Sequence, residues 1–496
     1  MHGRTHHTTF RASLGHRLAH RWSDQRRLRD WYLRGLGGTY FIAFTSLARQ
    51  LEGLYGKRGI LPIREVLTAA KALPPKQRLA SVPTVFWLDA SDAALVRACR
   101  AGQLSSLLLS LGIAPRWTAA ASWLLYLSFV STGRDFLSFQ WDALLLENGL
   151  HAMVIAPRSR RSARTAERPP WAATQLMRWL AFRLQFESGY SKLASGDRTW
   201  RRGTACCYHF ETQPLPTRLG WHAHQLPRWV QRLATLGTLA VELGAPFLAF
   251  MPRRVRRAGF WLLSGLQAVI AATGNYAFFN LLTVLDNVWL LDDEALPWQP
   301  SHRPPARRAP ARQWLATSLA TVPLAVLAAA MLVARFRPEH RLPSSVNRAL
   351  AALAPLRSIN AYGLFAVMTT HRPEIVIEGS DDGVIWHAYE FRDKPGDLKR
   401  PPRLIAPHQP RLDWQMWFAA LGPPRGWFVR VLARLLEGSP AVQGLLAATP
   451  FADHPPTYVR ALLYEYRMTD RETRRRTGAW WQRELIGIYV PPCAAG

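Results

Sequence analysis

The residues best suited to chemistry lie in one short run, Tyr208-His209-Phe210-Glu211-Thr212-Gln213-Pro214-Leu215-Pro216. Histidine titrates near neutrality, and a carboxylate beside it can relay a proton, so His209 and Glu211 are the candidate acid–base pair. On extended backbone, residues two apart project to the same side, which would bring the two together. The plainer reading is a structural loop, stiffened by its prolines, whose His and Glu bond to nearby backbone. His222 and His224 follow closely, but a zinc site needs a third ligand at clear spacing, so no metal is expected.

A second group of polar residues interrupts apolar runs. Gln140, Trp141, Asp142 and Glu147 stand at the mouth of one run, Glu242 in the middle of another, and Asn275, Tyr276, Asn280 and Asp286 in a third. Ionisable groups inside a membrane are costly and face a partner or a cavity. They form either a shared polar site near the outer face or hydrogen bonds that fix helix to helix. A third group is His408, Gln409, Arg411, Asp413 and Trp414, within Ala406–Gln415. Trp and Arg favour protein–protein hot spots, which suggests a partner surface. An Arg411–Asp413 structural pair is the alternative. No G-x-S-x-G elbow, P-loop or H-E-x-x-H helix is present, so no hydrolase, NTPase or zincin is expected.

These residues need elements to hold them. Apolar runs near the bilayer-spanning length are Trp229–Met251 and Trp314–Phe336, with Ala258–Leu291 long enough for two short spans. Weaker candidates are Leu36–Leu51, Ala94–Ile113, Trp117–Ser131, Trp141–Ile155 and Trp171–Tyr190. The mean hydropathy of −0.08 conceals this, because apolar runs alternate with basic ones. The net charge is +30. Arginines cluster at Arg21 to Arg29, Arg158 to Arg161, Arg253 to Arg257 and Arg303 to Arg312. About nine crossings from a cytoplasmic N-terminus place all four clusters on one side, as the positive-inside rule requires. That accounts for the charge without nucleic acid.

The expected architecture is a polytopic all-α membrane bundle with a C-terminal soluble β-rich α+β domain. Residues 1–30 form a basic cytoplasmic segment without the features of a cleaved signal peptide. Residues 31–336 form the bundle, with an ordered outward loop at 191–228, and 340–496 form an outward domain. In that domain Glu374–Gly379 reads as a strand, Ser380–Gly383 as a turn and Val384–Phe391 as the returning strand, while Trp427–Glu437 and Pro456–Tyr466 are of helical or mixed character. Trp480 and Trp481 belong in the domain core or on the outer membrane face. The four cysteines, Cys99, Cys206, Cys207 and Cys493, include no C-x-x-C.

At this point the chain resembles the lipase maturation factor family. The resemblance rests on Phe136–Glu147, on Ser195-Gly196-Asp197 with Trp200, on Tyr208-His209 and Glu211–Pro216, and on Thr273–Tyr276 with Phe278–Asn280. In the tail it rests on Ile377–Ser380 with Asp382-Gly383, Ala406–Leu421, Tyr464–Arg467 and Gly478–Glu484. Arg134 and Cys206-Cys207 depart from the pattern. The resemblance implies a chaperone-like membrane factor, comparable to endoplasmic reticulum proteins that assist folding and assembly of secreted dimeric lipases. It implies membrane lipid and an exported client as partners, and no cofactor. The Arg- and Ala-rich composition suggests a bacterial genome and so an inner-membrane setting, and the topology above puts the C-terminal domain outward. The bundle also distantly resembles vitamin K-dependent carboxylase relatives. In that alternative His209 and Glu211 act beside a quinone-like lipid.

Overall fold

The computed structural model describes residues 25–158, 167–296, 311–337, 339 and 341–495. Most of the basic segment 1–30 therefore lies outside the described residues, as do residues 159–166 and 297–310 with their arginines. Each expected apolar run is helical. The helices are Arg26–Ala48, Asp92–Ser110, Pro115–Thr132, Gln140–Ile155, Trp171–Ala194, Arg228–Gly244, Arg253–Thr273, Phe279–Asn287 and Ala311–Phe336. Local chemistry sets their starts. Ser91 accepts the Ala94 amide at 3.2 Å, and Pro115 occupies a first-turn position that needs no N–H.

Among the described residues, two helical stretches, Arg228–Phe250 and Leu315–Phe336, are long and apolar enough to cross a membrane by length and composition. Leu315, Leu319, Val322 and Val326 form an exposed stripe at helical spacing on the second. The expected span after Gly274 is shorter than a regular crossing. Phe279–Asn287 has 9 residues, about 14 Å of helix against about 30 Å of hydrocarbon. The chain still runs from one end of the bundle to the other there. Asn275 bonds Arg403 in the tail, whereas Asp293 accepts the amides of Arg27 and Leu28 at 3.1 and 2.9 Å. Irregular backbone at such depth is tolerable where protein buries it, and Asn280, Asp286 and Asn287 are all buried.

The bundle has two unlike ends. At one, Arg253 and Arg257 bond Asp292 at 3.0 and 2.8 Å, Arg27 bonds Asp293, and Arg29 donates to the Glu167 carbonyl. The tail covers the other. Its main sheet has strands β1 (Pro373–Ser380), β2 (His387–Ala388), β5 (Tyr458–Met468) and β6 (Trp481–Ala494) in the order β2-β1-β5-β6, all antiparallel. The short strands β3 (Glu390–Phe391) and β4 (Leu446–Ala448) pair separately.

Gly383 closes the expected turn at φ +74°. The returning strand is only a fragment. The Asp382 carboxylate takes the amides of Val384 and Ile385, each at 2.8 Å, so neither is offered to a neighbouring strand. Of the two segments expected to be helical or mixed, the first is a helix, Gly426–Leu436. The second, at 456–466, is β5, with partners on both edges. Trp480 and Trp481 are buried with Trp221.

The tail is not freestanding. One apolar core runs from Tyr40 and Phe44 through Trp141 and Leu144 to Trp414, Ile375 and Val431. A polar thread also enters the bundle. Glu147 is ion-paired to buried Arg183 and accepts from the Asn360 amide and the Tyr362 hydroxyl at 3.1 and 2.7 Å. Arg183 donates to the Asn360 carbonyl at 3.0 Å, and Glu187 accepts the Tyr362 amide at 2.8 Å. Removing one member of a buried ion pair leaves an uncompensated charge. Glu147→Ala is expected to cost about 3–5 kcal/mol in thermal unfolding of the detergent-solubilised chain. A loss no larger than that of an exposed substitution such as Arg475→Gln contradicts this.

Candidate functional site at the bundle–tail junction

The start of the Gln140–Ile155 helix meets the start of the Arg411–Ala420 helix. Arg411 grips Asp142 with both forks of its guanidinium, at 2.9 and 3.0 Å. The Tyr126 hydroxyl donates to the same carboxylate at 2.5 Å, and Arg411 also holds the Phe136 carbonyl. Side-chain exposures are 1% for Arg411 and 0% for Asp142. This replaces the expected Arg411–Asp413 pair. On a helix, residues two apart point about 200° from each other. Asp413 instead accepts the amides of Asp393 and Lys394 at 2.8 and 2.9 Å. Burial, with Asp393 nearby, pushes its pKa up to about 6.

Neighbouring motif residues extend the clamp. The Trp141 indole donates to Gln409 at 2.9 Å, and its ring stacks on Phe139 and meets Trp414 edge-on. The Gln409 amide donates to Ser46 at 2.9 Å, His408 lies 2.8 Å from the same hydroxyl, and Gln50 accepts the Arg411 amide at 2.9 Å. Gln140 accepts the Gly363 amide at 3.0 Å.

The 191–228 loop is a set of short helices, Arg198–Arg201, Cys206–Thr212 and Arg218–His224. The helix over 206–212 overturns the extended reading, so His209 and Glu211 diverge. Glu211 accepts the Met468 amide at 2.7 Å and lies 3.6 Å from His224. His209 Nε2 lies 3.0 Å from the Tyr276 hydroxyl, which itself donates to Gln213 at 2.8 Å. A hydroxyl has one proton, so His209 Nε2 must be the donor to Tyr276. Burial, helped by Lys192, pushes the His209 pKa down to about 4. The structure therefore gives the two side chains separate partners, and burial keeps His209 a neutral donor.

Gln213 is fixed by the Thr273 carbonyl at 2.8 Å. A Cβ on Gly274 would lie 2.0 Å from its oxygen, which explains a glycine there. Asn275 latches the tail, accepting the Ile405 and Ala406 amides at 2.7 and 3.0 Å. Asp197 caps the short helix ahead of Trp200 and accepts the Met368 amide at 3.1 Å, while the Trp200 indole donates to Phe365. Asn280 bonds Gln267 between helices. Tyr208 is exposed, and its side chain has no hydrogen-bond partner among the described residues.

Two cavities flank this junction. One of about 440 Å³ is lined by Phe139, Trp141, Phe365, Trp414, Trp417 and Arg425. A smaller one of about 120 Å³ lies among Lys192, His209, Glu242, Tyr276 and Phe365. Among the described residues no group of His, Cys, Asp or Glu is placed to hold a metal ion. All four cysteines are free.

Several residues carry the junction without having stood out in the sequence. Arg372 donates to the Glu211, Gln213 and Pro214 carbonyls and to Glu374, tying β1 to the loop. Arg183, Glu187 and Tyr362 were also missed, and Lys192 is the buried partner of Glu242 at 2.8 Å. The available signal was charge inside apolar runs, and it marked only one member of each pair.

A helical bundle with a strand-bearing tail locked to one end defines a class of membrane factor. Residues 27–298 match the lipase maturation factor transmembrane domain, and residues 358–491 match the lipase maturation factor C-terminal domain. The chain belongs to the lipase maturation factor family. It is similar to lipase maturation factor 2 of Homo sapiens, at 35% identity covering 96% of this chain and 84% of the relative. Lipase maturation factor 2 of Gallus gallus is 33% identical, covering 95% and 82%. Lipase maturation factor 1 of Homo sapiens is 33% identical, covering 93% and 86%. No solved structure matches the chain.

Two tests follow from the junction. Asp142→Ala and Arg411→Ala should each lose about 3–5 kcal/mol of stability, with the double variant losing little more. Additive losses contradict the pairing. The second test concerns pH. A histidine with a folded pKa near 4 and an unfolded pKa of about 6.5 stabilises the fold above pH 6.5. That contribution is lost as pH falls through about 4. His209→Gln should therefore flatten the acid-side loss of thermal stability, whereas an unchanged profile contradicts the assignment.

Proposed function

We propose that the protein is a multi-pass membrane factor that assists folding or assembly of exported client proteins, with lipases the class that its relatives' names indicate. It acts as a chaperone-like scaffold rather than an enzyme. The chain crosses the bacterial inner membrane about nine times, and its tail faces outward. The observation carrying this reading is the polarity of the bundle. Arg27, Arg29, Arg253 and Arg257 gather at one end, and the tail is clamped to the other. Basic residues mark the cytoplasmic side of a membrane protein, so the tail and the aromatic cavity lie where exported chains fold.

Divergence of His209 and Glu211 weighs against the carboxylase-like alternative. The reading has a two-part test. In a chain whose native cysteines are replaced, Val384→Cys should label from outside intact cells, and Arg254→Cys only after permeabilisation. The reverse pattern overturns the orientation. Co-expression with an exported lipase should raise the lipase's activity per unit of secreted protein, and Arg411→Ala should abolish the rise. A lipase equally active without the chain removes the maturation role.

A further inference from the structure

A third cavity, of about 700 Å³, opens where the end of the Arg26–Ala48 helix meets the 392–413 stretch and the 444–447 turn. Its lining holds Arg49, Arg392, Arg400 and Arg403 against Asp393 and Asp413, four positive charges facing two negative ones. His408 also lines it and adds no charge near neutrality, since burial and the nearby Arg49 and Arg411 push its pKa down to about 4.

The four arginines are not equivalent. Arg392 is spent on the Leu445 and Gly444 carbonyls, and Arg400 on those of Phe391 and Lys394. The carbonyls fix the Arg392 guanidinium without cancelling its charge, whereas Arg400 also lies 3.6 Å from the Glu390 carboxylate, which offsets its own. The side chains of Arg49 and Arg403 have no hydrogen bond or close ion pair among the described residues, Arg403 acting on Asp393 only at longer range, and both are exposed and line the cavity. Asp413 is already engaged by two backbone amides. Glu390 offsets Arg400 and Asp393 lies among Arg403, Arg400 and Arg392, so the unpaired surplus sits at the exposed pair Arg49 and Arg403, with Arg392 fixed beside them.

We propose that this cavity binds a phosphate group, with Arg49 and Arg403 as its direct ligands and Arg392 as a fixed positive charge beside them. Planar guanidinium groups match phosphate oxygens in geometry as well as charge. The volume is that of a small-molecule site. Leu404, 66% exposed, lines the same cavity with Ile405 and Leu445 and offers apolar contact beside the charge. Phospholipid headgroups and free phosphate share this chemistry.

The test uses the full chain in neutral phosphatidylcholine nanodiscs. The probes are radiolabelled inorganic phosphate and soluble dihexanoyl phosphatidic acid, measured by equilibrium dialysis. One saturable site is expected. Arg49→Gln and Arg403→Gln should each weaken it about tenfold, the factor carried by one charge-assisted hydrogen bond. Leu404→Glu, which leaves both arginines intact, should weaken it in the same sense. Arg475→Gln, outside the cavity, should not. Thermal unfolding of the unliganded variants checks that each is folded. Binding of both probes assigns a site open to free phosphate, and binding of phosphatidic acid alone assigns a lipid headgroup site. Absence of saturable binding, or binding unchanged in both arginine variants, overturns the proposal.

Discussion

A guanidinium removed from water needs a counter-charge and nearly complete hydrogen bonding. Arg411 finds its counter-charge in Asp142, 269 positions earlier in the chain. That one requirement organises the junction. The pair can form only if the first turn of the Gln140 helix and the first turn of the Arg411 helix meet face to face. Tyr126 and the Phe136 carbonyl must then close around them. Neither helix end is stable in its observed setting without the other, because each would bury a lone charge. The tail is accordingly part of the membrane protein's interior architecture, not a domain hung from its last helix.

Other contacts follow the same logic on a smaller scale. Glu147 and Glu187 take up backbone amides of the segment leading into the sheet, and Arg183 closes the group. Asn275 reads the backbone of residues 405 and 406. Arg372 reads the carbonyls of Glu211, Gln213 and Pro214 in the loop. Side chains of the bundle thus satisfy main-chain groups of the tail and the reverse. A polar interface of this kind specifies register in a way apolar packing alone does not. It also accounts for the sequence motifs. Most of their polar residues are fasteners, and the open chemistry lies in the cavities between them.

Much of this was legible in the sequence. The apolar runs coincide with helices, because hydrophobic length and period report burial directly. The Asp-Gly turn after β1 was legible because positive φ favours glycine. The family resemblance marked the right segments, from Phe136–Glu147 to Ala406–Leu421. The pairing within them was not legible. Arg411 lies two residues from Asp413, and only the fold shows that its partner is Asp142. His209 and Glu211 read as neighbours on an extended stretch, while a short helix sends them apart. Residues 456–466 read as helical or mixed because irregularities in register against β6 break the strand's simple alternation. In each case tertiary contacts decided what local spacing left open.

The most direct measurement of the central claim is a cut between bundle and tail. A specific protease site inserted after Glu339 separates the last long helix from everything that follows. The solubilised protein is then cleaved and passed over a sizing column. If the buried Asp142–Arg411 junction and its neighbours hold the tail in place, the two fragments elute together and part only on denaturation. A tail that elutes alone, folded and free of the bundle, would contradict the account.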